Sequence, residues 1–394
     1  MLRKDAQAMA QVKFCGPIED IKIPPQSIFL NAKRNSSESC IQGKLKMANL
    51  CRAAILNKIG TKLVIADVEM PPLSRGQVLV KLLYSGVCRS QLMEIKGGRG
   101  DDPWLPHMLG HEGSGIVEEV GPGVTKFSKG DEVIAGWMKT DGLEGAPPKY
   151  RWGERIVNAG RVTTFSRYSI ISENRLVLKP VILDFKQAVL FGCAIPTGAG
   201  LVLNEIAPPI NAKICLVGLG GIGMAALMTL LSLRVSNIIA IDRSLGKLEF
   251  AKSLGVPYVL NPNDGDIRTE VKRLFPNGAD ICIESAGHSS TIELGFDLIR
   301  MRGGELIFAS HPPDNQKISL RPHDLICGKR IRGSWGGKCD PGRDVSRFSK
   351  ILVDAGMPIS DLVASVYPLS SINDAIHDLE KGEVMRPIID LWCE

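Results

Sequence analysis

Cys88, His111 and Cys193 are the residues of this chain whose types could together do metal chemistry. Two thiols and an imidazole suit zinc, which prefers sulfur and nitrogen ligands in a tetrahedron. Three protein ligands leave the fourth place open to water or a substrate oxygen, the mark of a catalytic site rather than a structural one. Singly these residues say little, since a lone cysteine is usually a small buried hydrophobe. Their weight comes from what lies downstream.

The run Lys213-Ile-Cys-Leu-Val-Gly-Leu-Gly-Gly-Ile-Gly223 is a short apolar strand ending in a G-x-G-x-x-G turn. Its glycines are Gly218, Gly220 and Gly223, with Gly221 and Ile222 between the last two, and it opens into Met224-Ala-Ala-Leu-Met-Thr-Leu-Leu-Ser-Leu, which reads as a helix. Glycines let the backbone turn tightly and approach a pyrophosphate, whose charge then meets the positive end of the helix dipole. A second strand, Asn237-Ile-Ile-Ala-Ile, delivers Asp242, 19 residues after Gly223. A carboxylate there bonds the ribose hydroxyls of an adenosine, so the pattern predicts NAD in preference to NADP. Arg243 leaves the other choice open, because it could accept a 2′-phosphate if Asp242 turned away. A metal with an open position beside a dinucleotide is equipment for hydride transfer.

The elements that must position these groups are of two kinds. After Cys193 strands and helices alternate as a doubly wound α/β sheet demands, with Asp280-Ile-Cys-Ile-Glu and Gly304-Glu-Leu-Ile-Phe-Ala-Ser continuously apolar, as strands buried on both faces are. Before Cys193 the segments are short and split by Gly and Pro, as between Gly86 and Gly136, which suits an irregular β-barrel. Near the C-terminus Ser371-Ile-Asn-Asp-Ala-Ile-His-Asp-Leu predicts a helix with Ser371 as N-cap. Its apolar face is Ile372, Ala375, Ile376 and Leu379, and Gly382 stops it.

From about Ala48 onward the chain resembles the zinc-dependent medium-chain alcohol dehydrogenases. The matching motifs are Gly86-Val-Cys-Arg-Ser90, Gly110-His-Glu112, Gly121-Pro-Gly-Val-Thr125 with Lys129-Gly-Asp-Glu-Val133, Gly192-Cys193 with Thr197-Gly198, the glycine turn, and Gly333-Ser-Trp-Gly-Gly337. The resemblance implies a Rossmann sheet over 194–335 that binds NAD, and a GroES-like catalytic domain made of 48–193 and 336–394. It implies one catalytic zinc on Cys88, His111 and Cys193, with Glu112 close behind it. Arg89 and Arg386 would clamp the pyrophosphate, Lys247 would join Asp242 at the ribose, Thr197 would contact the cofactor, and Ser90 would relay the substrate proton.

The departures carry information too. No cysteine occurs between Cys88 and Cys193, so the four-cysteine lobe that holds a structural zinc in many relatives is missing. In its place stand residues 137–163, with Lys139, Lys149, Arg151, Arg155 and Arg161 against Asp141, Glu144 and Glu154. Gln91 replaces an aspartate that usually supports the zinc-ligating imidazole, and is expected to accept the ring N–H with less charge behind it. Met93 replaces a relay histidine and leaves the proton exit open.

Composition fits this frame. With 394 residues, 44% hydrophobic and 23% charged, the chain has ordinary globular usage and room for two domains. Ten cysteines without a framework spacing predict a reducing, cytoplasmic compartment. No apolar run is long enough to span a membrane. Net charge is +6, and the first 46 residues hold eight basic and four acidic side chains, so the remainder is nearly neutral and no nucleic-acid partner is expected. Residues 1–47, with Pro24-Pro25 and Asn35-Ser-Ser-Glu-Ser39, read as a disordered extension rather than a targeting peptide, and Met47 is a candidate start of translation.

His311 falls where relatives place an aliphatic residue facing substrate, and Trp137 where they place an aromatic wall. With Arg99 in the loop Gly97-Gly-Arg-Gly-Asp-Asp and the basic lobe, His311 points to a polar, polyol or sugar-like alcohol. The alternative is that His311 is solvated and the arginines only form ion pairs. Two other functions stay open: a glutathione-adduct formaldehyde dehydrogenase, and a noncatalytic NAD-binding protein, which would have no need of a thiol pair facing an open site. The segment Lys329-Arg-Ile-Arg-Gly-Ser-Trp335 reads as an edge strand, and an unpaired edge predicts a homodimer or a dimer of dimers.

Overall fold

The apolar runs that follow Cys193 become a six-stranded parallel sheet in the computed structural model, which describes residues 49–394. The extension expected over residues 1–47 and the start at Met47 lie outside the described residues. In space the strands run Tyr258–Leu260, Ile238–Ile241, Ile214–Val217, Ile281–Glu284, Glu305–Phe308 and Arg330–Gly333. Every neighbouring pair is parallel. Ile214–Val217 is therefore flanked by the strand that follows it and by Ile281–Glu284, reached only after the chain has wound the other half of the sheet. Such a reversal opens a crevice at the carboxyl ends of the two central strands.

Alternate residues of the central strands point to opposite faces, and the two core clusters record it. Ile214, Leu216, Ile238 and Ala240 join the helix Gly221–Ser232 in one cluster. Cys215, Val217, Ile239 and Ile241 join Ile267, Val271, Ile292 and Phe296 in the other, beneath the helices Ile267–Leu274 and Ser289–Leu298. The expected doubly wound sheet is thus present, with a helical layer on each side.

The first half of the chain builds two β structures. Leu50–Leu56, Val64–Glu69, Lys149–Trp152, Arg155–Asn158 and His107–Met108 close a small barrel. Gln77–Gly86, Glu112–Val120, Glu132–Gly136, Tyr168–Ser172 and Leu176–Leu178 belong to a seven-stranded sheet. Of the stretch from Gly86 to Gly136, expected as irregular barrel, the strands Glu112–Val120 and Glu132–Gly136 therefore lie in that second sheet and His107–Met108 joins the small barrel. Conversely, the lobe at 137–163 supplies a barrel hairpin, turned at Gly153 with φ +61°. The chain comes back at its end, where Ile388–Asp390 pairs antiparallel with Gln77–Gly86.

The C-terminal helix runs Ile372–Lys381 and stops at Gly382, φ +78°, with Ile372, Ala375 and Ile376 buried as expected. Ser371 differs from expectation. It occupies the N-cap position but makes no capping hydrogen bond, because a 3₁₀ turn, Leu369–Ser371, leads the chain into the helix.

The helix Ala194–Gly200 lies against Gly221–Ser232, and a Cβ on Gly198 would come within 2.7 Å of the Ala225 Cβ and 2.8 Å of the Ala226 nitrogen. Only glycine permits that approach.

Candidate active site

Each of the three candidate metal ligands sits at the end of an element. Cys88 is the N-cap of the helix Arg89–Ile95, His111 precedes the strand Glu112–Val120, and Cys193 links a 3₁₀ turn, Leu190–Gly192, to the helix Ala194–Gly200. Their ligating atoms all lie within 4.8 Å of one another, and His111 Nε2 is 3.3 Å from Cys193 Sγ. That spacing suits one tetrahedral ion with bonds of about 2.0–2.3 Å. Hydrogen bonding from Cys193, helped by Arg386 and His111, holds the Cys88 thiol well below its ordinary range, and the same bond and burial push Cys193 up. Ser90 Oγ is buried in this corner of the cleft without a hydrogen-bond partner among the described residues. The donor set and the unpaired hydroxyl both fit a zinc ion with an oxygen ligand beside it.

Gln91 behaves differently from expectation. Its Oε1 accepts the Cys88 backbone N–H at 2.8 Å, so its amide nitrogen, not its oxygen, faces His111 Nδ1. The backbone of Cys88 competes for the one oxygen that an aspartate would duplicate.

Glu112 lies behind the ligands and does not line the cleft. It is fully buried, and Arg386 Nη2 donates to its Oε2 at 2.8 Å. Burial pushes the Glu112 carboxyl up while the guanidinium opposes this. Room for the pair comes from Gly86, where a Cβ would sit 2.6 Å from Glu112 Oε1. Arg386 also lies beside the glycine turn, its Cζ 3.5 Å from where a Gly221 Cβ would be.

The glycine turn adopts its expected form. Gly218 has φ +90°, and a Cβ there would come within 2.7 Å of the Ala286 nitrogen. Gly223 does not reach the cleft, since its α-carbon packs under the Gly218 carbonyl, whereas a Cβ on Gly220 would meet nothing within 4 Å. That open approach beside a helix start is a cradle a diphosphate fits. Asp242 accepts from Leu219 N at 2.6 Å and Ser244 N at 2.8 Å, which fixes its carboxylate at the edge of the cleft. Arg243, Lys247 and Arg89 line the same stretch, and Arg89 Nη2 is 3.4 Å from His288 Nε2. Burial and the nearby Arg89 and Arg243 push His288 down.

All of these groups open on one cleft of about 1750 Å³. Cys88, Arg89, Ser90, His111, Cys193, Thr197, Gly218, Gly220, Gly221, Ile222, Asp242, Arg243, Lys247, His311 and Arg386 line it; of the expected residues, Glu112 and Gly223 do not. The basic lobe does not contribute its charges. None of Lys139, Lys149, Arg151, Arg155 or Arg161 lines the cleft. Lys139 and Arg161 both pair with Glu144 at 2.8 Å, and Arg155 bonds Asn57 and lies over Trp152. At the mouth, Arg99 is 3.7 Å from Glu94, and His107 Nε2 is 2.7 Å from Asp102. The polar side chains there satisfy one another. Aromatic rings also face the space: Trp335 stands edge-to-face with Trp137 at 5.1 Å and with the exposed His311 at 5.7 Å, and Trp104 is 66% exposed.

Three of the site's residues were not anticipated from sequence. Trp335 belongs to the edge segment and to the motif Gly333-Ser-Trp-Gly-Gly337, but neither gives it a place in the cleft. His288 carries no local signal. Glu284, buried at its strand's end, accepts from the Ala286 and Gly287 amides at 2.8 Å and from Thr291 and Ser310, so it shapes the loop that holds His288. An acidic residue ending an apolar strand was the available sign.

Known proteins resemble this chain over the described region. The alcohol dehydrogenase GroES-like domain matches residues 74–181, and the zinc-binding dehydrogenase family matches residues 221–353. Alcohol dehydrogenase class-3 of Drosophila melanogaster is 28% identical over 86% of this chain and 97% of its own length. S-(hydroxymethyl)glutathione dehydrogenase of Synechocystis is 27% identical over 86% of this chain and 99% of its own. The structure of benzyl alcohol dehydrogenase from Acinetobacter calcoaceticus superposes with a TM-score of 0.78 at 26% identity, covering 87% of this chain and 99% of that one.

The Glu112 and Arg386 pair makes a stability prediction. Arg386→Leu should cost about 3–5 kcal/mol by leaving a buried carboxylate unpaired, while the double variant Arg386→Leu with Glu112→Leu should recover much of it. Urea unfolding of the three proteins measures both terms, and equal stability of wild type and Arg386→Leu would refute the pairing.

Proposed function

The chain belongs to the zinc-dependent medium-chain alcohol dehydrogenase family, and on that premise we propose that it transfers a hydride between an alcohol and NAD, giving an aldehyde or ketone. The observation that carries this is the meeting of three zinc-type ligand atoms, within 4.8 Å of one another, with the glycine turn and Asp242 in one cleft. Zinc on Cys88, His111 and Cys193 would polarise the substrate oxygen, and a nicotinamide in the cleft would carry the hydride. Ser90, a buried hydroxyl without a partner among the described residues, is positioned to hold the proton that the alcohol gives up. Arg89 and Arg386 would neutralise the diphosphate, with Thr197 against the cofactor. Glu112 acts as a positioning residue, since it touches Arg386 and not the cleft.

In this reading residues 48–193 with 336–394 hold the metal and 194–335 hold the nucleotide. Strand Ile388–Asp390, paired with Gln77–Gly86, ties the C-terminal segment to the metal-holding half. No single helix among the described residues is long and apolar enough to cross a membrane. A reducing, cytoplasmic setting is proposed from the free thiols, eight of them among the described residues.

The purified chain is expected to hold one zinc per subunit. Cys88→Ser should lose the metal and turnover yet keep NAD binding, because the thiol and the glycine turn lie on different elements. Metal analysis with NADH absorbance checks this, and two tightly held zincs, or a fully active Cys88→Ser, would sink it.

For the cofactor, Asp242→Ala is expected to raise KM for NAD roughly ten- to hundredfold, the worth of about 1.5–3 kcal/mol in a charge-assisted contact. Native turnover with NADP equal to that with NAD would instead assign the ribose end to Arg243.

Assembly is argued from the sheet edge. Among the described residues Arg330–Gly333 pairs only with Glu305–Phe308, and Leu325 and Ile326 before it are exposed, Ile326 to 82%. An open edge next to apolar side chains suits pairing with a second copy. Sedimentation should find a dimer or tetramer at micromolar concentration, and a monomer alone would refute it.

A further inference from the structure

We propose that Trp335 is a specificity-determining residue that selects ring-bearing alcohols, and that Glu205, buried behind it, is the positioning residue that fixes it there. The inference rests on the dehydrogenase reading above and adds to it a substrate class and a residue outside the cleft.

Glu205 lies on the π-helical turn Leu201–Ile206, which continues the helix carrying Cys193 and Thr197 and ends at Ala207 in the left-handed region, φ +43°. Its side chain is 1% exposed. One carboxylate oxygen accepts from the Ser334 hydroxyl and the other from Arg332 Nη1, with Lys338 Nζ 4.0 Å away. Ser334 Oγ in turn accepts from the Gly337 N–H at 3.1 Å. The neighbouring Asn204 donates to the Gly337 and Lys338 carbonyls, at 3.4 Å each. Both ends of the turn that bears Trp335 are thus held from one side.

The turn needs holding. Gly336, Gly337 and Lys338 have φ of +60°, +64° and +48°, and the last is a conformation that a residue with a side chain adopts only when its surroundings impose it. Gly336 allows the backbone to lie against the Trp137 ring, which a Cβ would approach to 3.2 Å. The result is an indole 71% exposed, held edge-to-face between Trp137 and His311 on the wall of the cleft. An indole edge-to-face with a second indole on the wall of a cleft recognises a π-face, by edge or offset contact. Of the features expected to favour a polar substrate, the basic lobe's charges lie outside the cleft and Arg99 lies beside Glu94, so the paired indoles favour an aryl alcohol or aldehyde.

The test compares zinc-loaded wild type with Glu205→Gln and with Ser334→Ala, the milder variant that leaves the Arg332 pair intact. Two quantities are read: kcat/KM for benzyl alcohol relative to ethanol, and hydrogen exchange of the peptide spanning 333–339. Exchange there is expected to accelerate in both variants, and the benzyl-to-ethanol ratio to fall about three- to tenfold through KM rather than kcat. Trp335→Ala should lower the ratio at least as far. Unchanged exchange, an unchanged ratio despite faster exchange, or an equal loss on both alcohols would overturn the proposal. If wild type oxidised neither alcohol, the dehydrogenase reading would fail, while exchange would still decide whether Glu205 holds the turn.

Discussion

Everything functional in this molecule depends on the close approach of the helix Ala194–Gly200 to the start of Gly221–Ser232. The first carries Cys193 at its entry and Thr197 one turn on; the second begins at the glycine turn. Gly198 removes the side chain that would separate them, and Gly200 does the same against the Gly337 carbonyl. Three backbones can then pack without intervening side chains. A candidate metal ligand, the glycine turn and the Trp335 wall share one cleft because of it.

Around that seam the charges are arranged in depth. Glu112 and Arg386 form a buried pair that borders both the ligand corner and the glycine turn, so one ion pair couples the two halves electrostatically. Such pairs add little net stability when intact, but neither partner can be lost cheaply. On the nucleotide side Asp242 and Glu284 spend their oxygens on backbone amides, which fixes the loops at the carboxyl ends of their strands. Rigid carboxylates of this kind orient a site before any ligand arrives.

The lobe at 137–163, which has no cysteine, serves the fold: Lys149–Trp152 and Arg155–Asn158 close the barrel. Its arginines and lysines serve that fold through Glu144, Asn57 and Trp152 rather than a substrate. Charge count alone suggested an anionic or polar ligand. Partners distant in sequence absorbed those charges.

What the sequence determined by itself was whatever depends on local spacing: the strand, glycine turn and helix at 213–232, Asp242 at the next strand's end, the continuous apolar strands, and a zinc-type ligand set. These were legible because backbone geometry and hydrophobic period act over a few residues. What only the tertiary structure decided were matters of direction and pairing. Gln91 turned its nitrogen to His111 because the Cys88 amide claimed its oxygen. Glu112 faced Arg386, 274 positions away, instead of the cleft. Ser371 left its cap unused because a 3₁₀ turn preceded it. Trp335 became a cleft wall because Glu205, on another element, pulled its turn inward. A side chain's partner is set by which distant atoms reach it first in the folded packing, and no local pattern encodes that competition.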